Sequence, residues 1–350
     1  MFTEPDIIFD YIYPRIKGNI IRSPELNKLY NFFKKVEVIQ YEELSESFSE
    51  EKFSSQYELL YTSETIKKKI KEYNLKYSYQ LRFNNSLIDI NIFTSEKITN
   101  DIFISELKRY IQFILSIHPV DVNITINYHL SPDKKYMKNK IPTTNDVNSG
   151  SCTITNEGSI INIWRKEEIL KVTLHEIFHA LEHGDYRDNQ YIIDYFKDKY
   201  NITSTKLNTH EAYTEIWANL INCFLISQKY NKVNKNIFNK LVTIEKYFSI
   251  FQAQKIMYHS LDKIINIDKH TNVTSYFLIR AELYQELNKF LKFCRLRNKN
   301  YIEIKDTQKW LTFLESKKKI KKNNIIFNKG HRNYLFKNLR MTILELNVLN

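Results

Sequence analysis

His175-Glu176-Ile177-Phe178-His179 sets two imidazoles four residues apart with a carboxylate beside the first. On a helix, positions i and i+4 fall one turn apart on one face, close enough for two histidines to grip one cation. Glu176 would lie next to that pair. There it could take a proton from a metal-bound water as the water attacks a carbonyl, without itself ligating the metal. With 9 histidines in 350 residues, chance gives an H-E-x-x-H pattern in roughly one or two chains per hundred. Its surroundings have to carry the rest.

Those surroundings read as a helix with a sheet before it. Glu167 and Glu168 open the segment, where acids suit the positive end of a helix dipole, and Gly184 can end it. Leu170, Leu174, Ile177, Phe178 and Leu181 form one stripe at about 100° per residue, with His175 and His179 turned away from its centre. Upstream, 87–93 and 122–128 alternate as strands around a helix at 101–117, a βαβ-like passage. Residues 151–155 and 159–164, bracketed by Gly150 and Gly158, read as an antiparallel pair feeding into the helix. All 6 prolines lie at or before Pro142, so helices are expected to follow one another from 209 to about 315. The expected fold class is α+β: a small mixed sheet, an active-site helix and a mainly helical C-terminal part. The expected blocks are a mixed segment at 1–85, a core at 86–230 that carries the two histidines, and a helical part at 231–350. In the last of these, the lysine run at 317–322 reads as a solvated face.

Two imidazoles do not complete a catalytic zinc site, which needs a third protein ligand. His183 is one turn beyond His179, but about 12 Å of helix rise separates it from His175. Asp185 stands where H-E-x-x-H-x-x-G-x-x-H enzymes place their last ligand, yet Glu182 occupies the position of the glycine that their turn needs. A second helix offers Glu211 and Glu215, which share a narrow face with Ala218 and Asn222. Ile216, Trp217, Leu220, Cys223 and Phe224 take the opposite arc. Stacked carboxylates on such a helix are costly unless they meet a cation or a donor. A capping box with Asn208 is the plainer role for Glu211.

His175-Glu176-x-x-His179 followed by Glu211-Ala212-Tyr213-Thr214-Glu215-Ile216-Trp217-Ala218 resembles the gluzincin zinc metallopeptidases. The second stretch is similar to their thermolysin-type helix, with a small hydroxyl residue at i+3 and an acid at i+4. The resemblance implies a Zn2+ cofactor, a peptide or protein substrate, and hydrolysis by a metal-activated water. It implies His175, His179 and Glu211 as ligands, Glu176 as general base, and Glu215 as the carboxylate that orients a ligand histidine. A second register, Glu215-Ile216-Trp217-Ala218-Asn219, is similar to the Glu-x-x-Ala-Asn helix of other gluzincin-like peptidases and would make Glu215 the ligand. The family also implies an edge strand for the substrate backbone, from 151–155 or 160–164. A later element would polarise the substrate carbonyl, for which His270 and Tyr276 are candidates, with His259 behind them. Thirty-one residues separate His179 from Glu211, more than in thermolysin-like enzymes, so the connection is expected to be a longer loop. The resemblance covers about 150–225 only. The flanks match no family, as in uncharacterised metallopeptidases of large DNA viruses.

Composition bounds the rest. A net charge of +12 favours weak acidic partners, although AT-rich coding also produces lysine. Apolar residues at 43% and aromatics at 14% supply a core and exclude disorder of the whole chain. Cys152, Cys223 and Cys294 make no disulfide framework, and the N-terminus lacks a signal-peptide pattern. No apolar run matches a membrane span. The expectation is an intracellular protein, of a host cytoplasm or a virion. Two rival readings remain: a catalytically inactive zincin-like interaction protein, or a basic nucleic-acid-binding protein with a fortuitous motif.

Overall fold

The computed structural model describes all residues except 1–9, 11, 17, 52–58, 60–61, 99–100, 118, 140, 183–185, 205–206, 230–233, 261–266, 322–331, 347 and 350, and the side chains of 259–260 and 332–333. Its first elements are α1 (Pro24–Lys34), β1 (Glu42–Ser49), α2 (Glu64–Ile70), β2 (Leu75–Phe83) and β3 (Ser86–Thr94). Then come α3 (Asp101–Ile117), β4 (Ile124–Ser131), α4 (Thr144–Val147), β5 (Gly150–Thr155), β6 (Gly158–Arg165) and α5 (Ile169–Ala180). The helical remainder holds α6 (Gln190–Tyr200), α7 (His210–Ser227) and α8 (Asn234–Ser260). A π-helical turn (Thr274–Ile279) follows, with α9 (Arg280–Gln285), α10 (Leu287–Arg297), α11 (Thr307–Glu315) and α12 (Arg332–Lys337). The class is α+β.

Contacts divide the chain into two units. The sheet unit is Lys35–Lys135, Asn148–Glu182 and Glu345–Asn350; the helical unit is Met1–Lys34, Tyr136–Val147 and His183–Leu344.

In the sheet unit six strands run in the order β1-β2-β3-β4-β6-β5. The first three and the last two pair antiparallel, while β3-β4 and β4-β6 are parallel. The parallel step from β3 to β4 needs a crossover, which α3 provides. Alternation decides which face is buried: Ile88, Ile90 and Ile92 of β3 line up with Ile124, Ile126 and Tyr128 of β4. Each isoleucine so buried contributes about 1.5–3 kcal/mol. On this face α5 lies against β5 and β6, and α3 packs on α5. Tyr128 and Thr173 share a hydrogen bond of 2.9 Å that ties β4 to α5. The opposite face carries amides in register: Asn91 donates to Asn127 at 3.1 Å, and Asn127 to Asn162 at 3.2 Å. Each buried amide thereby finds its partner on the next strand.

In the helical unit α7 packs against α8, α9 and the π-helical turn. Both of its arcs are enclosed, every residue except Glu211 being buried: Glu215 and Asn222 meet Arg280 and the Leu344 carbonyl, and Trp217 and Phe224 pack on Phe290 and Phe33. Tyr213 and Trp217 join Phe290 and Trp310 in an aromatic cluster. Part of the expected long loop between His179 and Glu211 is the helix α6. One lysine of the run at 317–322 is not solvated. Lys317 is buried, with Nζ 3.3 Å from Glu286 and 3.5 Å from the centre of the Phe313 ring. Lys318, Lys319 and Lys321 are exposed. No helix among the described residues is long and apolar enough to cross a membrane.

Candidate metal centre

The helix α5 is set by buried charge at its start. Glu168 precedes it in the left-handed region, at φ 62°, and makes no side-chain cap. Its carboxylate instead pairs with Lys135 Nζ at 2.7 Å, the two side chains being 0% and 2% exposed. Glu167 accepts the Lys135 backbone N–H at 2.8 Å, and the Glu168 N–H donates to Glu345 at 2.7 Å. The two acids thus anchor neighbouring segments. A charge removed from water requires partners of this kind, a demand larger than the helix dipole's pull.

From Ile169 to Phe178 every residue of α5 is buried, so the helix lacks the open face its stripe implied. His179 is the half-buried exception. The rings of His175 and His179 stand at 73° with centroids 4.8 Å apart. Their Nε2 atoms face each other at 3.1 Å. Two nitrogens at about 2.0–2.1 Å from a tetrahedral zinc would lie about 3.3 Å apart. The pair fits that ion to within a few tenths of an ångström.

Glu176 is 5% exposed and lies against the first residue of β5. A Cβ on Gly150 would stand 2.5 Å from Glu176 Oε1 and 2.8 Å from its Cγ. Two residues along the strand, burial and then the Glu176 charge push the Cys152 thiol up to about 12. β5 is an edge of the sheet, whereas β6 is paired on both sides. Of the two strands proposed for a substrate backbone, only β5 therefore has a side to offer. Its Ile154 is 54% exposed. His129 on β4 is a different kind of histidine. It is fully buried, stacks on Phe93 at 5.2 Å, and burial pushes its pKa down to about 3. It is a neutral core residue.

In the helical unit, α7 begins at the N-cap Thr209, whose N–H and hydroxyl both donate to Asp188 at 2.6 Å. Asn208 accepts the His210 N–H at 3.1 Å. The helix start is thus held by Thr209 and Asp188, and not by a box of Asn208 with Glu211. Glu211 sits half-buried in the first turn. One turn on, Glu215 Oε2 accepts from Arg280 Nη1 at 3.1 Å, the side chains being 2% and 0% exposed. Arg280 also donates to the Met341 carbonyl at 2.7 Å and to Ser249 at 3.2 Å.

His270 is exposed, and its carbonyl accepts from the Thr144 hydroxyl at 3.0 Å. Tyr276 is buried in the π-helical turn, whose Thr274 N–H donates to Asp268 at 2.7 Å. The hydroxyl-rich stretch is therefore where the helix widens, a feature common at functional sites. His183, Gly184 and Asp185, and the side chain of His259, lie outside the described residues. Sequence reasoning missed Lys135, Asp188, Arg280 and the part played by Gly150. Their partners are distant in the chain, and only Arg280, a lone charge after Tyr276-Phe277-Leu278-Ile279, left a local signal.

No family model, curated protein or solved structure matches the chain. Function is therefore read from the chemistry of these residues.

Proposed function

We propose that the protein is a zinc-dependent peptidase of gluzincin type, with His175, His179 and Glu211 as ligands and Glu176 as general base. The observation that carries this is the facing imidazole pair of an H-E-x-x-H helix, at a separation that suits zinc. The donor types support it: two imidazoles one turn apart on α5 and a carboxylate at the start of α7. Two nitrogens and one carboxylate oxygen are the ligands of catalytic zinc sites that keep a fourth position open. When bound, zinc would lower the pKa of a water towards about 7 and polarise a carbonyl.

The chain's own residues do the rest. Glu176 takes the proton released by the attacking water onto its carboxylate and passes it to the departing amine. The outer edge of β5 offers backbone N–H and C=O groups to an extended peptide. Glu215, held by Arg280, supports the helix that carries Glu211. Tyr276 or His270 supplies a donor to the substrate oxygen.

Metal content and turnover of a quenched peptide library test the reading together. The purified chain should hold about one zinc, and His175→Ala and His179→Ala should each abolish it. Glu176→Gln should keep the metal and lose at least about a hundredfold in turnover. Full zinc in both histidine variants, or undiminished turnover in Glu176→Gln, would sink the assignment.

A further inference from the structure

We propose that Gly150 is a positioning residue, whose missing side chain is the space in which the Glu176 carboxylate is held. The catalytic half of this rests on the peptidase reading; the steric half does not. A Cβ at position 150 would approach Glu176 Oε1 to 2.5 Å, Cγ to 2.8 Å and Cδ to 2.9 Å. Real Cβ contacts do not come so close. The collision is with the stem of the side chain as well as its tip, so turning the carboxylate about its last bond does not relieve it.

Neither partner has room to retreat. The backbone before Gly150 is pinned, since Asn148 O accepts both Trp164 Nε1 and Arg165 Nε at 3.2 Å. The Trp164 N–H donates to Ser149 O at 2.9 Å, and Gly150 itself pairs with Ile163. Trp164 and Arg165 are buried. On the other side, Glu176 lies in a helix buried on every face around it. A methyl at 150 therefore displaces the Glu176 side chain and leaves the strand in place. Gly150, Cys152 and Ile154 alternate onto one face of β5, beside Ile163 and Ile161 of β6. The smallest of the three stands where the carboxylate must sit. Misplacing a proton-transfer group by about 1 Å can cost on the order of a hundredfold in rate.

The test is a double-mutant cycle on the full chain with two readouts. Gly150→Ala should keep zinc, leave KM within about twofold, and lower kcat at least about tenfold. Added to Glu176→Ala, which removes the contested Cγ together with the carboxylate, it should cost none of the residual activity. In thermal unfolding with chelator present, Gly150→Ala should lower Tm in the parent chain and not in a Glu176→Ala background. An equal Tm loss in both backgrounds, or an unchanged kcat in Gly150→Ala, overturns the proposal. A parent chain that hydrolyses no peptide overturns the peptidase reading alone, and the Tm cycle still decides whether Gly150 seats Glu176.

Discussion

Glu211 and Glu215 are one turn apart on α7, and replacing each by alanine should produce opposite failures. Glu215 forms an ion pair with Arg280 at 3.1 Å in which neither side chain is more than 2% exposed. Deleting the carboxylate breaks this ion pair and leaves the buried guanidinium with the Met341 carbonyl, the Ser249 hydroxyl and the field of Glu245. Breaking a buried pair from one side costs about 3–5 kcal/mol, or roughly a thousandfold in the folding equilibrium at the midpoint of that range. Glu215→Gln, which keeps an acceptor for Arg280 Nη1, should lose less. Glu211 is half-buried in the first turn and is not the N-cap, so Glu211→Ala should cost under about 1 kcal/mol in the metal-free chain. The assay is urea unfolding with chelator present, paired with competition for zinc against a chromophoric chelator. Glu211→Ala should be stable and lose the metal, whereas Glu215→Ala should be unstable and, where folded, hold it more tightly than Glu211→Ala. A Glu215→Ala protein of parent stability would refute the ion-pair argument. If it also lost zinc while Glu211→Ala kept it, Glu215 would be the ligand.

Lys135→Met should destabilise the sheet unit by about 3–5 kcal/mol, because it removes the ammonium 2.7 Å from the buried Glu168 carboxylate; urea unfolding within about 1 kcal/mol of the parent would contradict this. Burial pushes Glu245 up to about 7 from its usual 4.5, despite donors from Thr342, Ile343 and Leu344. A carboxyl raised in the folded state gives stability that is full below pH 4.5 and lost as pH rises through about 7, on the order of 3 kcal/mol in all. Glu245→Gln lacks that loss, so its stability relative to the parent should rise between pH 4 and pH 8; parallel unfolding midpoints across this window would show the group is not so shifted. Tyr276→Phe should keep zinc and lower kcat by about a hundredfold if its hydroxyl meets the substrate oxygen; unchanged kcat would move that role to His270, to be checked with His270→Ala.

Local periodicity made much of the sheet unit legible. The strands at 87–93 and 122–128 and the helix at 101–117 appear as β3, β4 and α3, and the hairpin before the metal helix appears as β5 and β6. Their residues alternate or recur within a few positions, and that spacing is set by backbone geometry alone. The same spacing brings His175 and His179 face to face. Burial was read less well. The stripe on α5 implied an exposed face, but that helix is enclosed, since a helix's own sequence does not reveal how many neighbours will cover it. Lys317 went astray for the same reason: its run of like charge looked solvated, and its ammonium lies over Phe313 beside Glu286.

By itself, then, the sequence determined the elements and the chemistry they carry: two imidazoles one helical turn apart, a carboxylate beside them, and acids at i and i+4 on a later helix. These follow from covalent order and from backbone repeats of 3.6 and 2 residues. Only the tertiary structure decided what each charged or small residue meets. It paired Glu168 with Lys135 and Glu215 with Arg280, made β5 an edge by seating β6 beside β4, and laid the Glu176 side chain on Gly150. Such contacts join residues 26 to 65 positions apart, at distances that depend on packing throughout the unit. Burial then makes them consequential, because a charge or a methyl out of place in a dry, close-packed interior finds neither water nor free volume to relieve it.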